Sequence, residues 1–310
     1  MLVNYNKLFE ILKKRNIPLT KLREDIGVST ATISKLNKGD YTSLQTLEKI
    51  SKYLHVQIGE LVEFNLVHNK TPLLKRLLEE KNNKIKGGVY HETQVIMAYN
   101  SNHIEGSKLS LDETRFIFET NSIILDNENG KVSIDDINET INHFRAIDYM
   151  LEIVFEPLTE SIIKDLHFIL KRNTKDETLD WFNVGDYKSL PNIVGGLETT
   201  HPLNVEFEMK KLINEYENNE NKIFEDIVDF HYRFEKIHPF QDGNGRVGRL
   251  IAFKELLRFN QVPFTINDEL KAFYYRGFQM YEKQKGYLLD TCYAGQDKYK
   301  KLLDYFKLKY

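Results

Sequence analysis

His238–Arg249 reads HPFQDGNGRVGR and separates two apolar-periodic stretches, one ending near Ile237 and one beginning near Asn244. That arrangement predicts a helix-loop-helix. Pro239 stops the first helix, and Gly243 and Gly245 let the backbone fold back at the start of the second. Successive amide N–H groups then converge at a helix N-terminus, where the helix dipole also favours negative charge, so the loop reads as an anion nest. Arg246 and Arg249, three residues apart, can stand on one helix face toward the same anion. Asp242 offers an oxygen of the kind Mg²⁺ takes when it also binds phosphates, and His238 offers a base whose ordinary pKa lies near neutrality. Taken singly, each residue reads equally well as a helix stop or a solvated turn. Together they are the parts of phosphoryl or nucleotidyl transfer, where positioning and charge neutralisation supply most of the catalysis.

The same run resembles, at every defining position, the signature HPFx[DE]GNGRxxR of the Fic family of nucleotidyltransferases. The resemblance extends over about residues 91–310 and implies an all-α Fic domain with a short β-hairpin flap. It implies that His238 deprotonates a Ser, Thr or Tyr hydroxyl of a target protein, which attacks the α-phosphate of ATP and expels pyrophosphate. Asp242 would hold Mg²⁺ on the phosphates, Gly243, Asn244 and Gly245 would cradle them, and Arg246 and Arg249 would meet the β and γ groups. Phe240 would pack beneath the loop. Relatives that donate phosphate can carry Lys in place of Gly245, so the glycine favours transfer of AMP.

Upstream, Asn100–Gly106 reads NSNHIEG, and Ser101, Glu105 and Gly106 resemble the family's [ST]xxxE[GN] inhibitory motif, here on a helix near 91–106. Alone, Ser followed four residues later by Glu is commonly a solvated helix face. Beside the downstream loop it implies that Glu105 pairs with Arg249 and removes the group that should grip the γ-phosphate. Were Glu105 to activate water instead, the same site would remove AMP from a modified protein.

Between these motifs, Asp180–Thr200 carries Gly185, Pro191, Gly195 and Gly196 around the apolar pair Ile193 and Val194, which predicts a hairpin or flap near 184–200. In relatives this segment registers an incoming peptide. The resemblance therefore sets Asn192, Ile193, Val194 and Gly195 beside the bound nucleotide, with backbone pairing to a target strand; an ordinary surface hairpin fits the same residues. Tyr274 and Tyr275 fall near the position where relatives line the nucleotide pocket, and as helical aromatics they read equally as core. Helical periodicity covers roughly 91–103, 110–121, 133–154, 159–173, 204–218, 221–237, 244–259, 267–285 and 296–306, a mainly α fold.

The first 64 residues form a separate module with ten Lys/Arg and seven Asp/Glu, net plus three, which leaves the rest at minus six of the chain's minus three. Thr20, Ser29 and Ser43 can cap helices, and Gly27 and Gly39 can end them. They follow an opening helix whose Leu8, Ile11 and Leu12 share a face. The run LTKLREDIGVSTATISKLNKG resembles the helix-turn-helix of the repressor and Cro family, with Val28, Ile33 and Leu36 as apolar pins. Ile33 and Leu36 mark the buried side of its second helix, which leaves Thr30, Ala31, Ser34 and Lys35 for a DNA major groove and Lys38 for the backbone. The same fold also serves protein binding or dimerisation, and such modules act as dimers on paired half-sites, which makes a homodimer the expectation. Residues 65–90, with one amphipathic stretch and then Asn82, Asn83, Gly87 and Gly88, read as a linker with a short helix.

Composition bounds the rest. Net charge of minus three carries no global signature of nucleic-acid or membrane binding. The single cysteine, Cys292, forms no internal disulfide and builds no Cys₄ or Cys₂His₂ zinc site. No apolar run reaches the ~18 residues of a membrane span, and the charged start is unlike a signal peptide, so a cytoplasmic protein without membrane contact is expected. No Walker loop or Rossmann glycine fingerprint is present. His91, His103, His143, His167, His201 and His231 lack metal-ligand spacing and read as packed or solvated rings.

Overall fold

The structure, a computed structural model, describes residues 3–64, 70–123 and 132–310. The chain divides into two compact units, Met1–Asn69 and Lys70–Tyr310. The first unit holds α1 (Asn6–Lys14), α2 (Leu19–Ile26), α3 (Thr30–Lys38) and α4 (Leu44–Leu54). Leu8, Leu12, Leu22, Ile26, Ile33, Leu36, Ile50 and Leu54 fill its core. Ser29 and Ser43 accept the amides of Thr32 and Thr46 as N-caps, and Gly27 and Gly39 end their helices in the left-handed region. Thr20 is not a cap: α2 begins one residue earlier, behind Pro18, whose fixed φ suits the entry. A strand pair that helical periodicity does not reveal joins the unit's two ends. Strand β1 (Val3–Asn4) pairs antiparallel with β2 (Glu63–Phe64), Val3 opposite Phe64.

The second unit holds α5 (Pro72–Asn82), α6 (Val89–Ile104), α7 (Leu111–Thr120), α8 (Ile134–Glu152), α9 (Glu160–Lys171), the hairpin β3 (Ile193–Val194) and β4 (Leu197–Glu198), α10 (Pro202–Glu217), α11 (Phe224–Ile237), α12 (Asn244–Arg258), α13 (Asp268–Met280) and α14 (Gly286–Tyr305). The mainly α architecture is as expected. Helix α12 is the hub: it packs on α6, α8, α9 and α11 and is buried almost all round. Two expectations need correction. Part of the supposed 65–90 linker, residues 65–69, lies outside the described residues. From Lys70 on the chain belongs to the second unit, where α5 buries Leu73, Leu74 and Leu77 in the main core. The buried Glu80 carboxylate accepts the Tyr90 amide at 2.8 Å and lies where a Cβ on Gly88 would be, so α5 is tied to the start of α6.

The second correction is at the C-terminus. The helix expected over 267–285 ends at Met280, and α14 starts at Gly286 rather than near 296. Glycines of α13 and α14 are packing choices: a Cβ on Gly277 of α13 would lie 2.7 Å from the Leu288 Cα, and one on Gly295 of α14 would lie 2.6 Å from the Thr265 carbonyl oxygen. No helix among the described residues is long and apolar enough to cross a membrane.

Candidate active site at the start of α12

His238 closes α11 in the left-handed region at φ 53°, an uncommon place for a non-glycine residue. Phe240 is fully buried, and Asn244 ties the loop: its Oδ1 accepts the Phe240 amide at 2.8 Å and its Nδ2 donates to the Phe240 carbonyl at 2.9 Å. Both ends of the Asn244 amide thus tie the loop together. Gly243, at φ 80°, is the N-cap of α12. A Cβ on Gly245 would meet the Glu105 Oε1 at 2.3 Å and the Arg249 Nη1 at 2.9 Å, so an acidic side chain of this same chain lies over the nest.

That carboxylate is held by Arg249. The guanidinium donates from Nη2 to the Glu105 Oε1 at 2.6 Å and to the Ser101 carbonyl at 2.9 Å, and from Nε to the Ser101 Oγ at 3.0 Å. Ser101 is buried in the last turns of α6, Glu105 caps that helix, and Gly106 follows at φ 102°. The sequence-predicted trio and Arg249 therefore meet across 144 to 148 residues of chain.

The two arginine side chains take different partners. Arg246 is buried against acids, with Nη2 donating to the Asp242 Oδ2 at 3.1 Å and Nη1 paired with Glu139. This corrects the reading of both guanidinium groups turned toward one anion: residues three apart on a helix are neighbours, about 60° apart, and it is the carboxylates of Glu139 and Asp242 that draw the Arg246 guanidinium away. Asp242 also accepts from Lys171 at 2.8 Å. Burial works against its charge, but Arg246 and Lys171 outweigh it and hold the carboxyl well below the usual carboxylate range. A half-exposed, ionised carboxylate beside an amide nest fits a divalent cation carried on phosphates. Glu139, Asp176 and Asp242 also lie at metal-ligand spacing, but the Lys171 ammonium sits among them.

On the other side of the loop His238 is mostly buried, its Nδ1 4.0 Å from the Glu235 carboxylate. Burial, then the Lys188 ammonium, push its pKa down to about 4, so the imidazole is neutral and able to accept a proton. Glu235 is itself buried, and desolvation raises its carboxyl to about 8 despite Arg249, with Glu105 adding to the rise. The hairpin is as expected, β3 antiparallel to β4, with Ile193 and Val194 exposed and Gly195 and Gly196 turning between them. Asn192 anchors it to the loop by donating to the Phe240 carbonyl at 3.2 Å. Lys188 donates to the Asn192 Oδ1 at 2.7 Å and the Thr199 Oγ1 at 2.6 Å, while its amide donates to the Pro239 carbonyl at 2.9 Å.

The tyrosine pair splits. Tyr274 is 2% exposed with its hydroxyl 2.5 Å from the His231 Nε2, so it is a core residue rather than a wall of an open nucleotide pocket. Tyr275, rotated about 100° along α13, is exposed and reaches the Ile104 carbonyl beside Glu105. Sequence reasoning missed His167, Lys171, Glu139 and Lys188; each reaches the loop from another element, and no local spacing marks them. In the first unit, Thr30, Ala31, Ser34, Lys35 and Lys38 are all exposed along α3, opposite the buried Ile33 and Leu36.

Residues 157–256 match the model of the Fic/DOC family, and residues 7–66 match that of the Cro/C1-type HTH DNA-binding domain. The chain therefore joins a Cro/C1-type helix-turn-helix domain to a Fic domain. Among curated proteins it is similar to protein adenylyltransferase Fic of Drosophila persimilis, 30% identical over 181 residues, 57% of this chain and 34% of that protein. It is also similar to protein adenylyltransferase fic-1 of Caenorhabditis elegans, 27% identical over 218 residues, 69% of this chain and 39% of that protein. The chain spans little more than a third of the length of the curated relatives it matches. In fold it is similar to a Fic domain containing signaling protein from Bacteroides thetaiotaomicron, with TM-score 0.57 and 24% identity over 73% of this chain and 91% of that one. A Fic family protein from Desulfovibrio desulfuricans gives TM-score 0.57 and 20% identity over 78% of each chain.

Proposed function

We propose that this chain is a self-inhibited protein adenylyltransferase that moves AMP from Mg-ATP to a Ser, Thr or Tyr hydroxyl of a target protein, coupled to a DNA-binding module. The observation that carries the reading is the Arg249 guanidinium, held by Ser101 and Glu105 over Gly245 at the mouth of the nest. A cation aimed at a helix N-terminus is what a triphosphate needs, and an intramolecular carboxylate on that cation is a competitor for it. His238 takes the proton of the target hydroxyl. That oxygen bonds to the α-phosphorus as the bond to the β-phosphate breaks and pyrophosphate leaves. Asp242 would hold Mg²⁺, which when bound would neutralise charge on the phosphates. The amides of Gly243 to Gly245 and, once released, Arg249 fix the phosphate chain. The exposed Asn192–Gly195 edge registers a target strand beside His238, and Tyr275 stands near the nucleotide.

The first unit reads DNA through Thr30, Ala31, Ser34, Lys35 and Lys38, in a homodimer in the cytoplasm. Labelled-ATP assays with the wild type and Glu105→Gly test the enzyme reading. The variant is expected to incorporate roughly ten-fold or more AMP, the scale of one site-to-site coupling energy. Incorporation no higher than wild type removes the inhibitory role of Glu105. Loss of an AMP-removing activity that the wild type possesses makes Glu105 the residue that directs water, and the chain a hydrolase.

A further inference from the structure

His167 and Lys171 stand one turn apart on α9 and grip the same residue of the catalytic loop. The Gly185 amide donates to the His167 Nδ1 at 3.0 Å, so Nδ1 is an acceptor and the ring proton is on Nε2. That Nε2–H donates to the Asp242 carbonyl at 3.1 Å. The ring also stacks on Phe240, with centroids 3.9 Å apart and planes within 4°. One buried imidazole thus joins the arm of the flap to the backbone of Asp242.

Lys171 takes the side chain of Asp242. Its ammonium has three N–H groups and three carboxylate partners, Asp242 at 2.8 Å, Glu139 at 2.6 Å and Asp176 at 2.5 Å. The three acids could hold a metal ion by spacing alone, and the ammonium stands in its place. Lys171 and Arg246 against Glu139, Asp176 and Asp242 leave the group at minus one. Oδ2 of Asp242 is bonded to both Lys171 and Arg246, and the Gly243 amide also bonds this carboxylate, so its orientation toward an incoming cation is fixed.

We propose that His167 and Lys171 are positioning residues that clamp Asp242 by its carbonyl and its carboxylate, so that it presents that carboxylate in one fixed orientation to a phosphate-borne divalent cation. The inference rests on the Mg-ATP reading of the site. It gives the two residues opposite effects on metal binding. Losing the His167 clamp frees the ligand and weakens binding; losing the Lys171 charge removes a competitor and leaves three carboxylates with only Arg246, which tightens it.

The test is Mn²⁺ binding to the full chain, read by electron paramagnetic resonance, with an ATP analogue whose α–β bond cannot be cleaved. His167→Phe, which keeps the ring against Phe240, should weaken Mn²⁺ binding about ten-fold, and Lys171→Met should tighten it about ten-fold, the usual reach of groups behind a metal ligand. Metal-free nucleotide affinity should stay unchanged in both. If Lys171→Met lacks a cooperative melt, Lys171→Gln, which keeps a donor without the charge, takes its place with the same expected direction. Shifts of the same sign in the two variants, or no shift, overturn the clamp. Failure of the wild type to bind Mn²⁺ with the nucleotide overturns the ATP reading, and the clamp with it.

Discussion

Helices α3 and α12 each offer polar groups at the start of a helix, yet α3 buries only Ile33 and Leu36 of its nine residues while α12 buries thirteen of fifteen. On α3 the helix itself sets where Thr30, Ala31, Ser34 and Lys35 point, and an apolar stripe on the other side is enough to predict it. On α12 and the loop before it these functional groups are set by neighbours: Arg249 by Ser101 and Glu105, Arg246 by Glu139, Asp242 by Lys171. Substitutions on or around α12 should therefore act through partners and change more, and those on α3 should act alone and change less.

The largest effects belong to the groups that meet the reacting atoms. His238→Ala should lower AMP transfer about 10²–10⁴-fold while ATP still binds, because the base is needed only to activate the hydroxyl. Arg249→Ala should lower it about 10²–10³-fold in both the wild-type and Glu105→Gly backgrounds, since it deletes a phosphate ligand as well as the ion pair. Recovery of activity by Arg249→Ala in the Glu105→Gly background would mean that Arg249 serves only to hold the inhibitory carboxylate. Self-labelling near wild type in His238→Ala would remove the base from the mechanism.

What could be read beforehand divides along the same line. The loop His238–Arg249 announces itself because its parts are contiguous, and so do Ser29, Ser43, Gly27 and Gly39, whose caps are local. The Ser101–Glu105 contact with Arg249 came from a motif, not from periodicity. Contacts without either signal stayed hidden. His167 and Lys171 lie 75 and 71 residues from Asp242, and on α9 they look like one packed ring and one surface lysine. Arg246 was turned the wrong way because its partner, Glu139, sits on α8 beyond any local pattern. The early start of α14 was missed because the periodicity reads as one helix over 267–285, across the turn after Met280 that separates α13 from α14.

A middle-sized effect tests the environment of α12 directly. The Glu235 carboxyl is raised from 4.5 to about 8 by burial, with Arg249 opposing and Glu105 reinforcing. A carboxyl raised in the folded state keeps its proton there after the unfolded chain has lost it, so stability falls as pH rises from 4.5 toward 8 and stays lower above. Glu235→Gln, which is neutral throughout, should gain on the wild type across that interval and exceed it by on the order of a few kcal/mol at pH 9. Urea unfolding at pH 5, 7 and 9 reads the difference. Parallel curves for the two proteins would mean that Glu235 is ionised in the folded state.

The smallest effect is expected on α3, and its smallness is the point. Lys35 is exposed in the last turn, so Lys35→Ala disturbs no core contact and should leave the melting temperature and AMP transfer unchanged. On DNA it removes one cation, which should cost about 1 kcal/mol and lower the slope of log affinity against log salt by about 1 if the contact is a phosphate. A contact to a guanine edge would act differently, relaxing the base preference at one position and leaving the slope nearly intact. Binding curves on a selected duplex at several salt concentrations separate the two, with Lys38→Ala as the backbone-contact comparison. If no duplex is retained in a selection even at low salt, the exposed face of α3 serves a protein partner instead. The contrast with α12 then becomes one between a surface that waits for another macromolecule and a site already held in place by its own chain.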